Sequence, residues 1–155
     1  MLTLYTSCMN VLKFPSEKRP ELRTKSVFLE PSEDDGIRLM IVQRSLVDLC
    51  VQKDPELSWD PEDADDWIKA LYPSEDQKRR ILETGSGYRE LKENYRGSLS
   101  HPIRRIFLEE IIKTVLEEQV NVTLLCVESG PSQCHRGITA EFAKEIGSQI
   151  PVIIR

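Results

Sequence analysis

Residues 122–154 read VTLLCVESGPSQCHRGITAEFAKEIGSQIPVII. Val122–Val127 is a near-continuous apolar run, as in a strand covered on both faces. Ser129–Gly137 gathers Ser, Gly and Pro and reads as a loop. Ile138–Ile146 sets Phe142 and Ile146 four residues apart, a helical spacing, and Gly147 is its stop signal. Pro151–Ile154 gives a last strand. Strand, loop, helix and strand in that order make a βαβ unit, which requires parallel pairing with helices against the sheet. The fold class that follows is α/β, a three-layer α/β/α sandwich around a central, largely parallel sheet.

Working upstream, His101-Pro102 opens a long helix to about Glu118. Its stripe of Ile103, Phe107, Ile111 and Leu116, widened by Ile106, Ile112 and Val115, is expected to press on the sheet. Tyr88, Leu91 and Tyr95 make one apolar face of another helix, closed by Gly97 after the break at Gly85-Ser86-Gly87. Asp60-Pro61-Glu62-Asp63 reads as a helix start, with Asp60 as N-cap and Pro61 in the first position. Trp67 and Leu71 then share a face until Pro73. Ser74-Glu75-Asp76-Gln77 repeats the logic as a capping box. In the first third, Ile37–Val42 is the strongest strand. Ser26–Leu29 is a second strand candidate and Leu2–Thr6 a third, while residues 13–25 are polar, carry Pro15 and Pro20, and read as a surface loop.

The chain has 155 residues, of which 30% are charged and 39% hydrophobic. This is an ordinary globular balance, and the length suits one domain spanning 1–155. The net charge of −5 argues against a generic electrostatic DNA binder. Residues 1–14 have neither the basic start nor the apolar core of a signal peptide, and no apolar run reaches a membrane-spanning length, so the expected compartment is the cytoplasm. Four cysteines, Cys8, Cys50, Cys126 and Cys134, are there expected as reduced thiols. Their spacing fits no zinc pattern, the acids of Asp60–Asp66 lack the glycine of a calcium loop, and no cofactor is predicted.

The chemistry concentrates at Cys126–Gly137. In open α/β sheets ligands bind beyond the carboxyl ends of the strands. This segment lies at such an end and leads into a helix start, where free N–H groups and the dipole favour an anion. Cys134, beside His135, Arg136 and that helix start, is the candidate nucleophile or redox thiol. His135 is the candidate acid or base, and Arg136 the group that fixes an anion through a bidentate contact. Glu128 would orient His135 or hold Arg136. Cys126 borders the same ligand site, although a thiol in an apolar strand ordinarily packs as a small hydrophobe. The Cys-x5-Arg loop of tyrosine phosphatases is missing, because position 132 is Ser.

Arg44 follows a buried-type strand and can reach the same edge. Arg96, with Arg104 and Arg105, is the further candidate for a basic pocket. The competing readings are that Arg96 complements its own helix end and that Arg104 and Arg105 pair with Glu109. Trp59, Trp67 and Tyr72 are candidates for stacking on bases, against a core role for Trp67 and a staple role for Trp59.

Leu124-Leu125-Cys126-x-Glu128 followed by Cys134-His135-Arg136 resembles the signature near the C-terminus of the family called domain of unknown function 488. Leu4-Tyr5-Thr6-Ser7 resembles the opening of one branch of that family, and Gly36–Arg44 the glycine, strand and arginine of another. Trp67–Ser74 and Tyr88-x2-Leu91-x3-Tyr95-Arg96 resemble its tryptophan-to-Pro-Ser and Tyr-Arg helices. One departure stands out. The branch with the strand arginine continues Leu-Trp-Pro-Arg-Gly, whereas Arg44 here is followed by Ser45-Leu46-Val47-Asp48-Leu49. The resemblance implies an α/β fold with a largely parallel sheet and implies no established reaction.

Together these readings predict a small enzyme or binding domain for a phosphate- or nucleotide-like anion, with Cys134, His135, Arg136 and Glu128 as machinery. Arg44, Arg96, Arg136 and Cys126 are its ligand contacts. The alternatives are a non-enzymatic adaptor or nucleic-acid-associated module in which the Cys-His-Arg loop is a structural corner, and a reversible Cys126–Cys134 disulfide. No membrane partner is expected, and the pattern fixes no oligomeric state.

Overall fold

The computed structural model describes residues 19–74, 88–127, 135–147 and 151–153, with the backbone alone at 88–92. Among these residues, five strands form one parallel sheet: β1 Leu22–Ser26, β2 Ile37–Met40, β3 Asp66–Trp67, β4 Val122–Cys126 and β5 Val152–Ile153. Their order is β3-β2-β4-β1-β5. β4 is central and every one of its residues is buried, as its apolar run requires. The α/β class and the parallel sheet expected from the sequence are therefore present. The expected strands at Ile37–Val42, Val122–Val127 and Pro151–Ile154 are all found, somewhat shorter.

β1 corrects the reading of residues 13–25 as loop, because Leu22–Ser26 (LRTKS) is a strand. Ser26 ends that strand, so Ser26–Leu29 does not form one of its own. In register, Arg23 lies beside Thr123, Lys25 beside Leu125, and Arg38 of β2 beside Thr123 on its other side. Side chains alternate along strands, so Arg23, Lys25, Arg38 and Thr123 share one face. The connection 27–36 crosses that face and sets Asp35 among them. Asp35 pairs with Lys25 (3.1 Å) and with Arg38, and its carbonyl accepts from Thr123 Oγ1 (2.7 Å). Of the charges that look like loop in sequence, Arg23 is buried and donates to Asp34 O (3.2 Å), and Lys25 is partly buried against Asp35. The crossing is tight at Gly36, whose φ is +64° and where a Cβ would meet Asn121 O at 2.1 Å.

Gln43 precedes helix α1, Arg44–Lys53, which replaces the loop that the family pattern suggests after Arg44. Asp60 caps as expected, accepting Glu62 N–H at 3.0 Å with Pro61 behind it. The turn is nevertheless a single 3-10 turn, Pro61–Asp63, and the expected Trp67–Leu71 helix does not form. Trp67 belongs to β3, and Lys69–Leu71 is another 3-10 turn. The reason is tertiary: Asp65 N–H donates to Arg38 O (2.8 Å) and Asp65 Oδ2 accepts Arg38 N–H (2.8 Å), which draws the chain into the sheet.

Helices α2 Tyr88–Ser98, α3 Pro102–Glu118 and α4 His135–Ile146 follow. α2 runs one residue past Gly97. α3 starts where His101-Pro102 predicts, with His101 Nδ1 accepting Ile103 N–H (3.3 Å). Its buried strip is Leu108, Ile111, Ile112 and Val115, whereas Ile103 and Ile106 are 58% and 57% exposed and Phe107 is 40% exposed. At about 100° per residue the two stripes lie roughly opposite. One helix can press only one of them on the sheet, so Ile103, Ile106 and Phe107 of the expected stripe are corrected to the outside. α4 begins at His135 rather than Ile138, and Gly147 ends it by donating to Ala143 O (2.8 Å). No described helix is long and apolar enough to cross a membrane.

The unit β2-α1-β3 runs along the sheet in one direction and β4-α4-β5 in the other. Right-handed crossovers therefore put α1 and the 27–36 connection on one face. α4 packs on β1 and β4 from the other, with α2 and α3 against it. This is the three-layer arrangement. The expected strand at Leu2–Thr6, the capping-box residues Glu75–Gln77, the break at Gly85–Gly87, the side chains of Tyr88 and Leu91, and Glu128–Cys134 lie outside the described residues.

Candidate functional site

The sheet order makes a switch point at β4. The connections leaving β2 and β1 turn to one face and that leaving β4 turns to the other, and ligand crevices of open α/β sheets form at such points. The ends of the three strands are tied together: Val27 N–H donates to Cys126 O (2.7 Å) and Ile41 N–H to Leu125 O (3.2 Å).

Cys126 ends β4 and His135 starts α4, so strand and helix bring the two side chains into contact. Cys126 Sγ lies 3.3 Å from His135 Nδ1, and His135 Nε2 lies 2.8 Å from Ile41 O. A carbonyl oxygen can only accept, so Nε2 carries the hydrogen and Nδ1 is left for the thiol. In the neutral ring Nδ1 accepts the S–H. After proton transfer the imidazolium donates to the thiolate, and the Nε2–H bond survives in both states. Thiol, base and an orienting third group are the parts of an activated nucleophile.

Two residues not singled out as site candidates, Tyr95 and Thr139, complete the cluster. Tyr95 meets the His135 ring edge-on at 5.1 Å and donates its hydroxyl to Leu71 O (2.7 Å). Thr139 Oγ1 shares one proton between His135 O (2.7 Å) and Tyr95 Oη (3.1 Å). Gln43 donates from Nε2 to Pro73 O (2.7 Å), while its buried Oε1 has no hydrogen-bond partner among the described residues. The i, i+4 spacing of His135 and Thr139 was the available signal for Thr139. Tyr95 stands in the Tyr-Arg helix motif of the family resemblance, but its partner Leu71 O and the Pro73 O partner of Gln43, 24 and 30 residues away, had no local signal.

Cys126, His135 and Arg136 are each fully buried. Arg136 lies in the first turn of α4, which contains no acidic residue. Arg44 is exposed at the start of α1, its guanidinium 5.7 Å over the Trp59 ring. Arg96 goes elsewhere. It pairs with Glu145 and lies 5.2 Å over Phe142. Glu145 is nine residues along α4 from Arg136, about 13 Å at 1.5 Å per residue. The Arg96 hydrogen bond holds the Glu145 carboxyl below its ordinary range. Burial, with Asp66 nearby, pushes the Tyr72 phenol up. Arg105 pairs with Glu109 (3.2 Å) as the helical spacing allows, but Arg104 binds Ser98 Oγ (3.1 Å) and Tyr72 O (2.9 Å) instead. Trp59 and Trp67 meet edge-on at 5.9 Å. Cys134 and Glu128 lie outside the described residues. Among those described, no group of three His, Cys, Asp or Glu could hold a metal ion.

A family model, DUF488-N3a, described as the active DUF488-N3 subclade, matches residues 22–147. The chain belongs to this DUF488 family. The matched span runs from β1 to the end of α4 and includes the whole Cys126–His135–Arg136 corner. No curated protein and no solved structure matches the chain.

Proposed function

We propose that this DUF488 protein binds a phosphate-bearing anion at the β4–α4 corner and acts on it with the Cys126–His135 pair. The observation that carries the reading is that one helix start unites the Cys126 Sγ–His135 Nδ1 contact of 3.3 Å with a buried Arg136. The first turn of a helix presents free N–H groups and the positive end of the dipole, and a phosphate at a strand-to-helix turn is a common occupant. Arg44, in the first turn of α1, offers a second positive group at the same edge. Cys126, already in contact with His135, is the thiol on which the reading rests. Cys134 is the second thiol of the same segment, available as a partner in redox chemistry.

The full burial of Cys126 and His135 favours a second reading, a polar corner that only locks β4, α4 and the end of β2 together. Two measurements on the intact protein separate them. The first is the thermal midpoint with inorganic phosphate, pyrophosphate and nucleoside monophosphates, against chloride. The second is peptide-resolved thiol labelling of Cys126 with and without the best anion. The enzyme reading expects a midpoint that rises with anion concentration, as binding to the native state requires, and labelling that the anion slows. If no phosphate compound moves the midpoint, and Cys126 labels only at the rate of global unfolding, the corner is structural.

A further inference from the structure

A groove of about 280 Å³ opens beside the end of β1, lined by Val27, Phe28, Trp59 and the carboxylates Glu30, Asp60 and Asp63. Its size is near the lower end of small-molecule sites. Val27 joins it to the corner described above, because the same residue donates its N–H to Cys126 O (2.7 Å). Arg44 joins it from the other side, with its guanidinium 5.7 Å over Trp59. Among the described residues no basic side chain lines the groove.

The lining states what the groove will take. Trp59 offers an aromatic surface on which a planar ring can stack. Ionised carboxylates only accept hydrogen bonds, so an entering ring must bring N–H donors and present few acceptors to them. Guanine places N1–H and its exocyclic amino group side by side, matching the two oxygens of one carboxylate. Uracil presents a single N–H between two carbonyl oxygens, which the carboxylates repel.

We infer that the groove is the base subsite for a guanine-type nucleotide, with its phosphate directed toward Arg44 and the β4–α4 corner. The phosphate half of this inference rests on the function proposed above, whereas the base half rests on the groove alone.

The test is calorimetry and tryptophan fluorescence on the full chain with GMP, UMP, inorganic phosphate, and the uncharged nucleosides guanosine and uridine. GMP is expected to bind at least about tenfold tighter than UMP or phosphate, which corresponds to about 1.4 kcal/mol. A triple variant, Glu30→Gln, Asp60→Asn and Asp63→Asn, keeps the side-chain shapes, and Asn caps a helix start as well as Asp. It should bring GMP to within about twofold of UMP, a remaining difference of about 0.4 kcal/mol or less, while phosphate binding is retained. Equal binding of GMP, UMP and phosphate overturns the base subsite and leaves the anion site standing. So does a triple variant that keeps the GMP preference. If neither phosphate nor any nucleotide binds, the anion reading has failed and guanosine decides the groove. Saturable quenching by guanosine but not by uridine, lost in the triple variant, supports it, and no quenching overturns it.

Discussion

The two faces of the sheet bury polar groups in opposite ways. On the face crossed by residues 27–36, Asp35 is held by Lys25 and Arg38, hydrogen-bonded by Ser32, and joined through its carbonyl to Thr123. On the face under α4, Cys126 meets His135, and His135 meets Ile41 O. The first cluster is built from fixed charges and backbone bonds and has no proton to pass near neutrality. The second joins a thiol to an imidazole whose other nitrogen is held by a carbonyl. Burial alone does not distinguish the two clusters; the chemistry of the buried groups does.

Breaking the first cluster should have the largest effect. Asp35→Ala leaves Lys25 and Arg38 beside an empty position, and removing one partner of a buried pair costs about 3–5 kcal/mol in urea unfolding. A loss below about 1 kcal/mol, the size of an exposed ion pair, would erase the contrast between the faces. Burial alone would push the Asp35 carboxyl up, but the bonds from Ser32 and Lys25 pull it further down, to a net position below its ordinary value of 3.8. A carboxyl lowered in the folded state contributes stability that is complete above 3.8 and is lost as pH falls through the folded value. Wild-type stability should therefore drop more steeply below pH 3.8 than that of Asp35→Asn, measured as denaturation midpoint against pH.

A smaller effect sharpens the other face. Tyr95→Phe removes the hydroxyl that serves Leu71 O and borders Thr139. An unpaired buried carbonyl costs about 1–3 kcal/mol, and the loss of Thr139's second acceptor frees the first turn of α4. Reduced protection of the α4 amides in hydrogen exchange, beyond the global change, is the expected readout. A purely global change would mean that Tyr95 only fills space. The smallest effect belongs to Arg96→Ala. Its partner Glu145 is more than half exposed, so the cost should be the smallest of this series and should fade in high salt. Neither anion binding nor Cys126 labelling should respond to it. A change in either would place Arg96 with Arg136 after all.

The readable parts of the chain were those where local chemistry and tertiary demand agree. Val122–Cys126 is apolar because both its faces are covered. His101-Pro102 starts a helix in any surroundings, since the imidazole accepts an orphan N–H and proline needs no partner at the first position. The misread parts are those where a partner far along the chain changes the outcome. Leu22–Ser26 looks like loop because Arg23 and Lys25 are charged, and only the crossing of Asp34 and Asp35 gives those charges their partners. Trp67 and Leu71 have helical spacing, but backbone and side-chain bonds between Asp65 and Arg38 claim the segment for the sheet. Ile103, Ile106 and Phe107 look like core until Leu108–Val115 takes the sheet-facing side.

For the candidate site the division is similar. The sequence by itself determined the segment, because a buried strand, a turn and a helix start with Cys-His-Arg can be recognised from local residue types alone. It also determined the α/β class, since β-α-β order and an all-apolar strand leave few alternatives. Only the tertiary structure decided that the thiol in contact with His135 is Cys126, nine residues back. It alone supplied Ile41 O, 94 residues away, as the acceptor that fixes the ring. Local spacing sets which elements form, but hydrogen-bond partners across a parallel sheet depend on strand order, and strand order follows from how every connection packs at once.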